Sequence, residues 1–113
     1  MLIAAAILLL TQNPVDRTAE FSPAYQACER AAPSMIESRD CLAVELRRQQ
    51  VALDAIARNS IEPETQALWE MSVAADCAGE YEMGGNGADM RANACRIGLT
   101  IARIRYLQVR GTW

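Results

Sequence analysis

The chain has 113 residues, a net charge of −3 and four cysteines, but it contains neither histidine nor lysine. A chain of this length forms a single domain. Without histidine, no serine or cysteine can be activated by an imidazole base, and hydrolysis would depend on paired carboxylates alone. Closely spaced acids more often belong to a solvated surface. The protein is therefore not expected to be an enzyme.

The N-terminal residues 2–10 are nine unbroken apolar positions. A membrane-spanning helix needs about 20 apolar residues, so this run is too short to span a bilayer, but it has the length of a signal-peptide core. No basic residue precedes it and no clean small-x-small cleavage site follows before Cys28, so an apolar segment of the folded core is the alternative. We expect 1–23 to be a signal peptide with a flexible lead-in, and 24–110 to be a periplasmic or secreted domain.

The rest of the chain predicts four helices and no strand. A short first helix over 24–32 would be stopped by Pro33, which cannot continue a helix. The second helix, over about 38–58, carries apolar residues at helical spacing and a wet face that includes Glu45; Ser34 and Ser38 are its candidate N-caps. Its core positions are Leu42, Leu46, Leu53 and Ile56. The prediction is an all-α fold, a small bundle of three to four helices.

The third and fourth helices are predicted over about 63–79 and 88–110. Pro63 suits the first turn of a helix and Gly79 suits its end. Trp69 is expected to be a packing anchor in the core, because a tryptophan at helical spacing usually is. The other core candidates are Leu68, Met71, Val73 and Cys77 on the third helix, and Met90, Ala94, Ile97, Ile101 and Ile104 on the fourth.

The four cysteines stand at spacings of 13, 36 and 18 positions. Four cysteines allow three pairings, of which Cys28–Cys41 with Cys77–Cys95 is the most local. Each bond would stabilise the fold by about 3 kcal/mol in the chain-entropy model. Free buried thiols in a cytosolic protein are the alternative. A zinc site would need four scattered thiolates, so neither a metal nor a cofactor is expected.

Positive charge is concentrated at the C-terminal end. Residues 1–89 hold six arginines against fourteen acids, a net charge of −8, whereas residues 90–113 hold five arginines and no acid. Within the last helix, Arg96, Arg103 and Arg110 share one stripe. An arginine there is expected to pack against an acid of the second helix, Glu45 or Asp54, and an anionic partner is the alternative. Nucleic acid is not expected, because the whole chain is acidic.

The connection over 80–88 is the one glycine-rich stretch. No strand precedes it and no Lys-Ser or Lys-Thr follows, so it is not a phosphate cradle. Loops held by a rigid scaffold often carry recognition. Glu80, Tyr81, Glu82 and Asp89 are therefore the candidate partner-binding residues. An ordinary solvated loop is the alternative.

One spaced string covers the third and fourth helices. It consists of Gln66-x2-Trp69-x7-Cys77 and Cys95-x4-Thr100-x2-Arg103-x3-Leu107. Together with Cys28, Cys41 and the Leu42-x3-Leu46 stretch, it resembles the LprI-like lysozyme-inhibitor family over residues 25–108. The chain departs from that family's pattern where Val73-Ala74 replaces a usual Arg-Asp after the tryptophan, and again over Arg47 to Leu53.

The resemblance implies a secreted, periplasmic or envelope-anchored helical module that binds protein. For some members the implied partner is lysozyme, a cationic wall-degrading enzyme, blocked by occlusion of its cleft. The acidic charge of this chain would complement such a partner or another cationic wall-active protein. A non-inhibitory envelope interaction protein, or an immunity protein for a toxin, is the other hypothesis.

Overall fold

The computed structural model describes residues 20–110, and this part of the chain contains four α-helices and no strand. They are α1 (Pro23–Ala31), α2 (Met35–Ala57), α3 (Pro63–Glu82) and α4 (Ala88–Arg110). The predicted all-α fold is therefore confirmed. Residues 1–19 of the predicted signal peptide and lead-in lie outside the described residues. The last residues of that segment belong instead to the folded domain, since Phe21 packs in the core and Ser22 caps α1. Within 20–110, none of the helices combines the length and the apolar character that crossing a membrane requires.

Short polar residues and prolines set the helix starts. Ser22 caps α1, since its hydroxyl accepts a hydrogen bond of 3.2 Å from the backbone N–H of Tyr25. Ser34 occupies the N-cap position of α2 without a capping hydrogen bond from its side chain. Ser38, the other predicted cap, instead lies inside α2 and donates a 2.6 Å hydrogen bond to the Glu29 carboxylate. It therefore ties α2 to α1.

The end of α3 differs from the prediction. The helix passes Gly79 and ends at Glu82, so the connection to α4 is only the turn over 83–87. Gly84 and Gly85 adopt φ of 69° and 81°, a left-handed region that glycine enters at little cost. These glycines, and not Gly79, reverse the chain direction.

Helix α4 is the centre of the bundle. It packs against both α2 and α3, and α1 packs against α2. One core cluster is built around two aromatic rings in edge-to-face contact, and comprises Phe21, Tyr25, Leu42, Ile97 and Ile101. The other comprises Leu53, Ala57 and Leu107, with Trp69 among its partly buried neighbours. The predicted core stripes of α2 and α4 lie in or against these clusters.

Both disulfides form in the most local pairing. Cys28–Cys41 joins α1 to α2 and Cys77–Cys95 joins α3 to α4, with Cα–Cα separations of 5.8 and 5.7 Å. These separations are ordinary for disulfides. All four cysteines lie in these two bonds, and none is left free. Each staple holds a pair of helices that also follow one another in sequence.

The core assignment on α3 was wrong for two residues. Leu68 and Met71 are 66% and 68% exposed, whereas Val73 and Cys77 are buried. The reason is that a helix of 20 residues buries one stripe against α4, and these two residues stand on the opposite side. An apolar outer face is left without a partner among the described residues.

Candidate functional site

A groove separates α2 from α3. Both helices pack on α4 but make few contacts with each other, so α4 forms the floor of a cavity of about 360 Å³ between them. Leu53 and Asp54 of α2 line one side, and Trp69 and Glu70 of α3 line the other. Arg96 and Thr100 line it from α4. The groove thus combines an aromatic ring, apolar walls and three charged side chains.

The groove continues towards the 58–62 turn. A second cavity of about 370 Å³ lies there and is lined by Arg58 and Ile61, among others. Asp54 and Glu70 line both cavities. These two carboxylates therefore stand where the cavities meet.

Three residues of the spaced string meet beside the groove. The Arg103 guanidinium carbon lies 5.5 Å from the centroid of the Trp69 ring and 5.4 Å from that of Tyr106, which are cation–π distances. Arg103 Nη2 also donates a 3.4 Å hydrogen bond to Gln66 Oε1. The predicted pairing of an arginine of this stripe with Glu45 or Asp54 is not found among the described residues. At Arg103, two aromatic rings and an amide take the place of an acid.

Trp69 has two roles in this arrangement. It is partly buried against the cluster of Leu53, Ala57 and Leu107, as expected of a packing residue, and it also lines the groove. Thr100 is buried, and its hydroxyl donates a 2.7 Å hydrogen bond to the Arg96 carbonyl within α4. Leu107 is 1% exposed and lies in the core. The string is thus mainly structural, with Trp69 and Thr100 also reaching the groove.

The predicted partner-binding residues lie on helix ends and not on a loop. Glu80, Tyr81 and Glu82 form the last turn of α3, and Asp89 belongs to the first turn of α4. Glu80 Oε2 lies 3.8 Å from Arg91 Nε, and Asp89 Oδ2 lies 2.6 Å from Arg39 Nε. Two of the three acids are therefore paired with arginines. Tyr81 and Glu82 remain exposed.

Arg91 also holds the glycine turn. Its Nη2 donates a 2.7 Å hydrogen bond to the Gly84 carbonyl, and its Nη1 approaches the Asn86 carbonyl at 3.5 Å. A side chain of α4 therefore restrains the connection that the sequence suggested to be a flexible recognition loop.

Sequence reasoning missed the charges of the groove. The charged groups of Asp54, Glu70 and Arg96 form no ion pair or hydrogen bond with any residue in the described range. The sequence suggested Asp54 only as a possible partner for an arginine of the last helix. A signal did exist: Asp54 follows the buried Leu53, and Glu70 follows Trp69, so each acid stands at the edge of the packed stripe.

Glu45 is the opposite case. It was assigned to a wet face, yet it is fully buried. Its carboxylate accepts hydrogen bonds from the Ser22 backbone N–H and hydroxyl at 2.7 and 2.6 Å, from Gln49 at 3.1 Å, and from Arg48. Burial raises the pKa of Glu45, but these hydrogen bonds outweigh it and hold the pKa below its usual value.

No protein-family model, no curated protein and no solved structure matches this chain. Among residues 20–110, no three side chains of the metal-ligating types lie close enough together to hold a metal ion. The geometry on α2, α3 and α4 is therefore the basis for a functional assignment.

Proposed function

We propose that this protein is an exported module that binds a cationic protein, and that lysozyme is the first partner to test. Inhibition would follow from occlusion of the enzyme's cleft, without chemistry. Two things support the proposal. One is the resemblance carried by the string from Gln66 to Leu107, and the other is the exposed surface of α3.

The charge of α3 has a single sign. The helix carries acids and no arginine. These acids are Glu64, Glu70, Asp76, Glu80 and Glu82. Only Glu80 is paired with an arginine in the part of the chain that the structure describes. Such a helix attracts a cationic surface and repels an anionic one.

An apolar strip lies between these acids. Leu68 and Met71 are exposed on the side of α3 that faces away from α4, and the exposed Ala75 and Ala78 continue the strip. The outer face of an ordinary surface helix is polar. An apolar strip with an acidic rim is instead typical of a protein-binding surface, where apolar contact is surrounded by charge.

The apolar strip can be tested with a matched pair of variants. Leu68→Gln should weaken binding to purified lysozyme about tenfold, because it removes apolar area from the contact. Val51→Gln is the control, since Val51 is 65% exposed against 66% for Leu68 but lies on α2. Calorimetry gives the affinity and a wall-lysis turbidity assay gives the inhibition. Equal affinities for the two variants would refute the role of α3.

The charge of α3 can be tested separately. Glu82→Gln should slow association and reduce its salt dependence, whereas Glu80→Gln should have a smaller effect because Arg91 already pairs with Glu80. If lysozyme binds but continues to lyse walls, the inhibitor hypothesis would be replaced by that of a non-inhibitory envelope interaction protein. Absence of binding to any cationic wall-active protein would refute the proposal itself.

A further inference from the structure

The groove brings together one charge from each of three helices. Asp54 comes from α2, Glu70 from α3 and Arg96 from α4, and all three line the same cavity. Elsewhere in residues 20–110, some charges of opposite sign pair, as Arg39 with Asp89 and Arg105 with Glu20 show. The groove charges do not, because the cavity lies between the helices that carry them.

The size of the cavity sets the size of its occupant. Its volume is about 360 Å³. This lies at the lower end of the range of small-molecule sites, roughly 300–1,000 Å³. An amino acid or a dipeptide fits a space of this size.

The lining sets the chemistry of the occupant. Two carboxylates that face a common space favour a cation between them, and the Arg96 guanidinium favours a carboxylate. Trp69, Leu53 and Val73 supply the apolar part of the lining. We propose that this groove binds a small zwitterion, an α-amino acid or a dipeptide, with its ammonium at Asp54 and Glu70 and its carboxylate at Arg96. The site differs from the proposed protein-binding strip on the outer face of α3, although Glu70 borders both.

The fluorescence of Trp69 can report the binding of a ligand in the groove. The chain has two tryptophans, and Trp113→Phe leaves Trp69 as the only fluorophore of its kind, beside the groove. Four probes separate the charges: L-leucine with both, L-leucinamide with the cation only, N-acetyl-L-leucine with the anion only, and N-acetyl-L-leucinamide with neither. In this background, we expect L-leucine to bind about tenfold more tightly than either singly charged probe.

Substitutions in the groove test which residue binds each charged group of the ligand. Arg96→Gln should reduce the affinity for L-leucine to that for L-leucinamide, while leaving L-leucinamide unaffected. Glu70→Gln combined with Asp54→Asn should make L-leucine and N-acetyl-L-leucine equivalent. Arg47→Gln and Glu64→Gln are the controls, because both residues are exposed and neither lines the groove. They should leave every affinity unchanged.

Glycyl-L-leucine distinguishes the two sources of such a zwitterion. Tighter binding of the dipeptide would assign the site to peptides, and tighter binding of L-leucine would assign it to free amino acids. The proposal is overturned if all four leucine probes bind alike. It is also overturned if neither L-leucine nor glycyl-L-leucine changes the fluorescence of Trp69 at concentrations up to about 10 mM, well above the dissociation constant of a useful small-molecule site. A loss of affinity in the Arg47 or Glu64 control as large as in the groove variants would also overturn it.

Discussion

Two acids of α2, Glu45 and Asp54, differ in their burial and in their hydrogen bonding. Glu45 is fully buried and accepts hydrogen bonds from Ser22, Arg48 and Gln49. Asp54, about two and a half turns further along α2, is exposed and has no partner in the described range. A buried charge persists only where donors surround it, whereas an exposed charge beside a cavity remains available to a ligand.

The segments that pack over α2 explain why Glu45 is buried and Asp54 is exposed. Near Glu45, residues 20–22 and α1 close over α2 and supply Ser22, and the Cys28–Cys41 bond fixes α1 in place. Near Asp54, the neighbouring helix is α3, which packs on α4 and is bonded to it by Cys77–Cys95, but makes few contacts with α2. Within residues 20–110, one end of the bundle is therefore sealed and the other is open.

The largest expected effect is at the sealed end. Glu45→Ala should lower the free energy of unfolding by about 3–5 kcal/mol, because it leaves the donors of Ser22, Arg48 and Gln49 without an acceptor. Urea denaturation measures the change. Asp40→Ala is the control, an exposed acid on the same helix. A loss no larger than that of the control would mean that the network does not hold residues 20–22 against α2.

Removing each disulfide in turn should distinguish the two ends of the bundle. Replacing either cystine with alanines should cost about 3 kcal/mol, since the loops that they close are of similar length, 13 and 18 residues. Loss of Cys77–Cys95 should also alter the groove and the fluorescence of Trp69, whereas loss of Cys28–Cys41 should not. Peptide mapping without reductant checks the pairing. A Trp69 signal that responds equally to both losses would contradict the division into two ends.

Acid should weaken the sealed end selectively. The pKa of Glu45 is lower in the folded chain than its unfolded value of 4.5, so its ionisation stabilises the fold above that pH. This contribution is lost as the pH falls through the folded pKa. The stability difference between the parent and Glu45→Gln should therefore shrink as the pH is lowered below about 4.5. A difference that is constant from neutral pH to acid would show that Glu45 is not ionised in the fold.

The sequence predicted the features that depend on residues close together in the chain, namely the helices and the disulfide pairing. Helical periodicity located α2 and α4, and the spacing of the cysteines favoured the pairing that forms. It did not locate the burial of Glu45, because that depends on Ser22, 23 residues away in the chain. Nor did it locate the groove, which arises because α2 and α3 share α4 as a floor without packing on each other. Both failures concern the relative placement of helices.

The smallest expected effect is at the open end. Asp54→Asn should change the free energy of unfolding by no more than about 0.5 kcal/mol, because Asp54 forms no ion pair or hydrogen bond in the part of the chain that the structure describes. Any change should be a gain, since the substitution removes one of two carboxylates beside the same cavity, and it should fade at high salt. Glu70→Gln should behave alike for the same reason. If Asp54→Asn instead destabilised the fold as strongly as Glu45→Ala does, Asp54 would have a structural partner. The groove charges would then hold the bundle together and would not be available to a ligand.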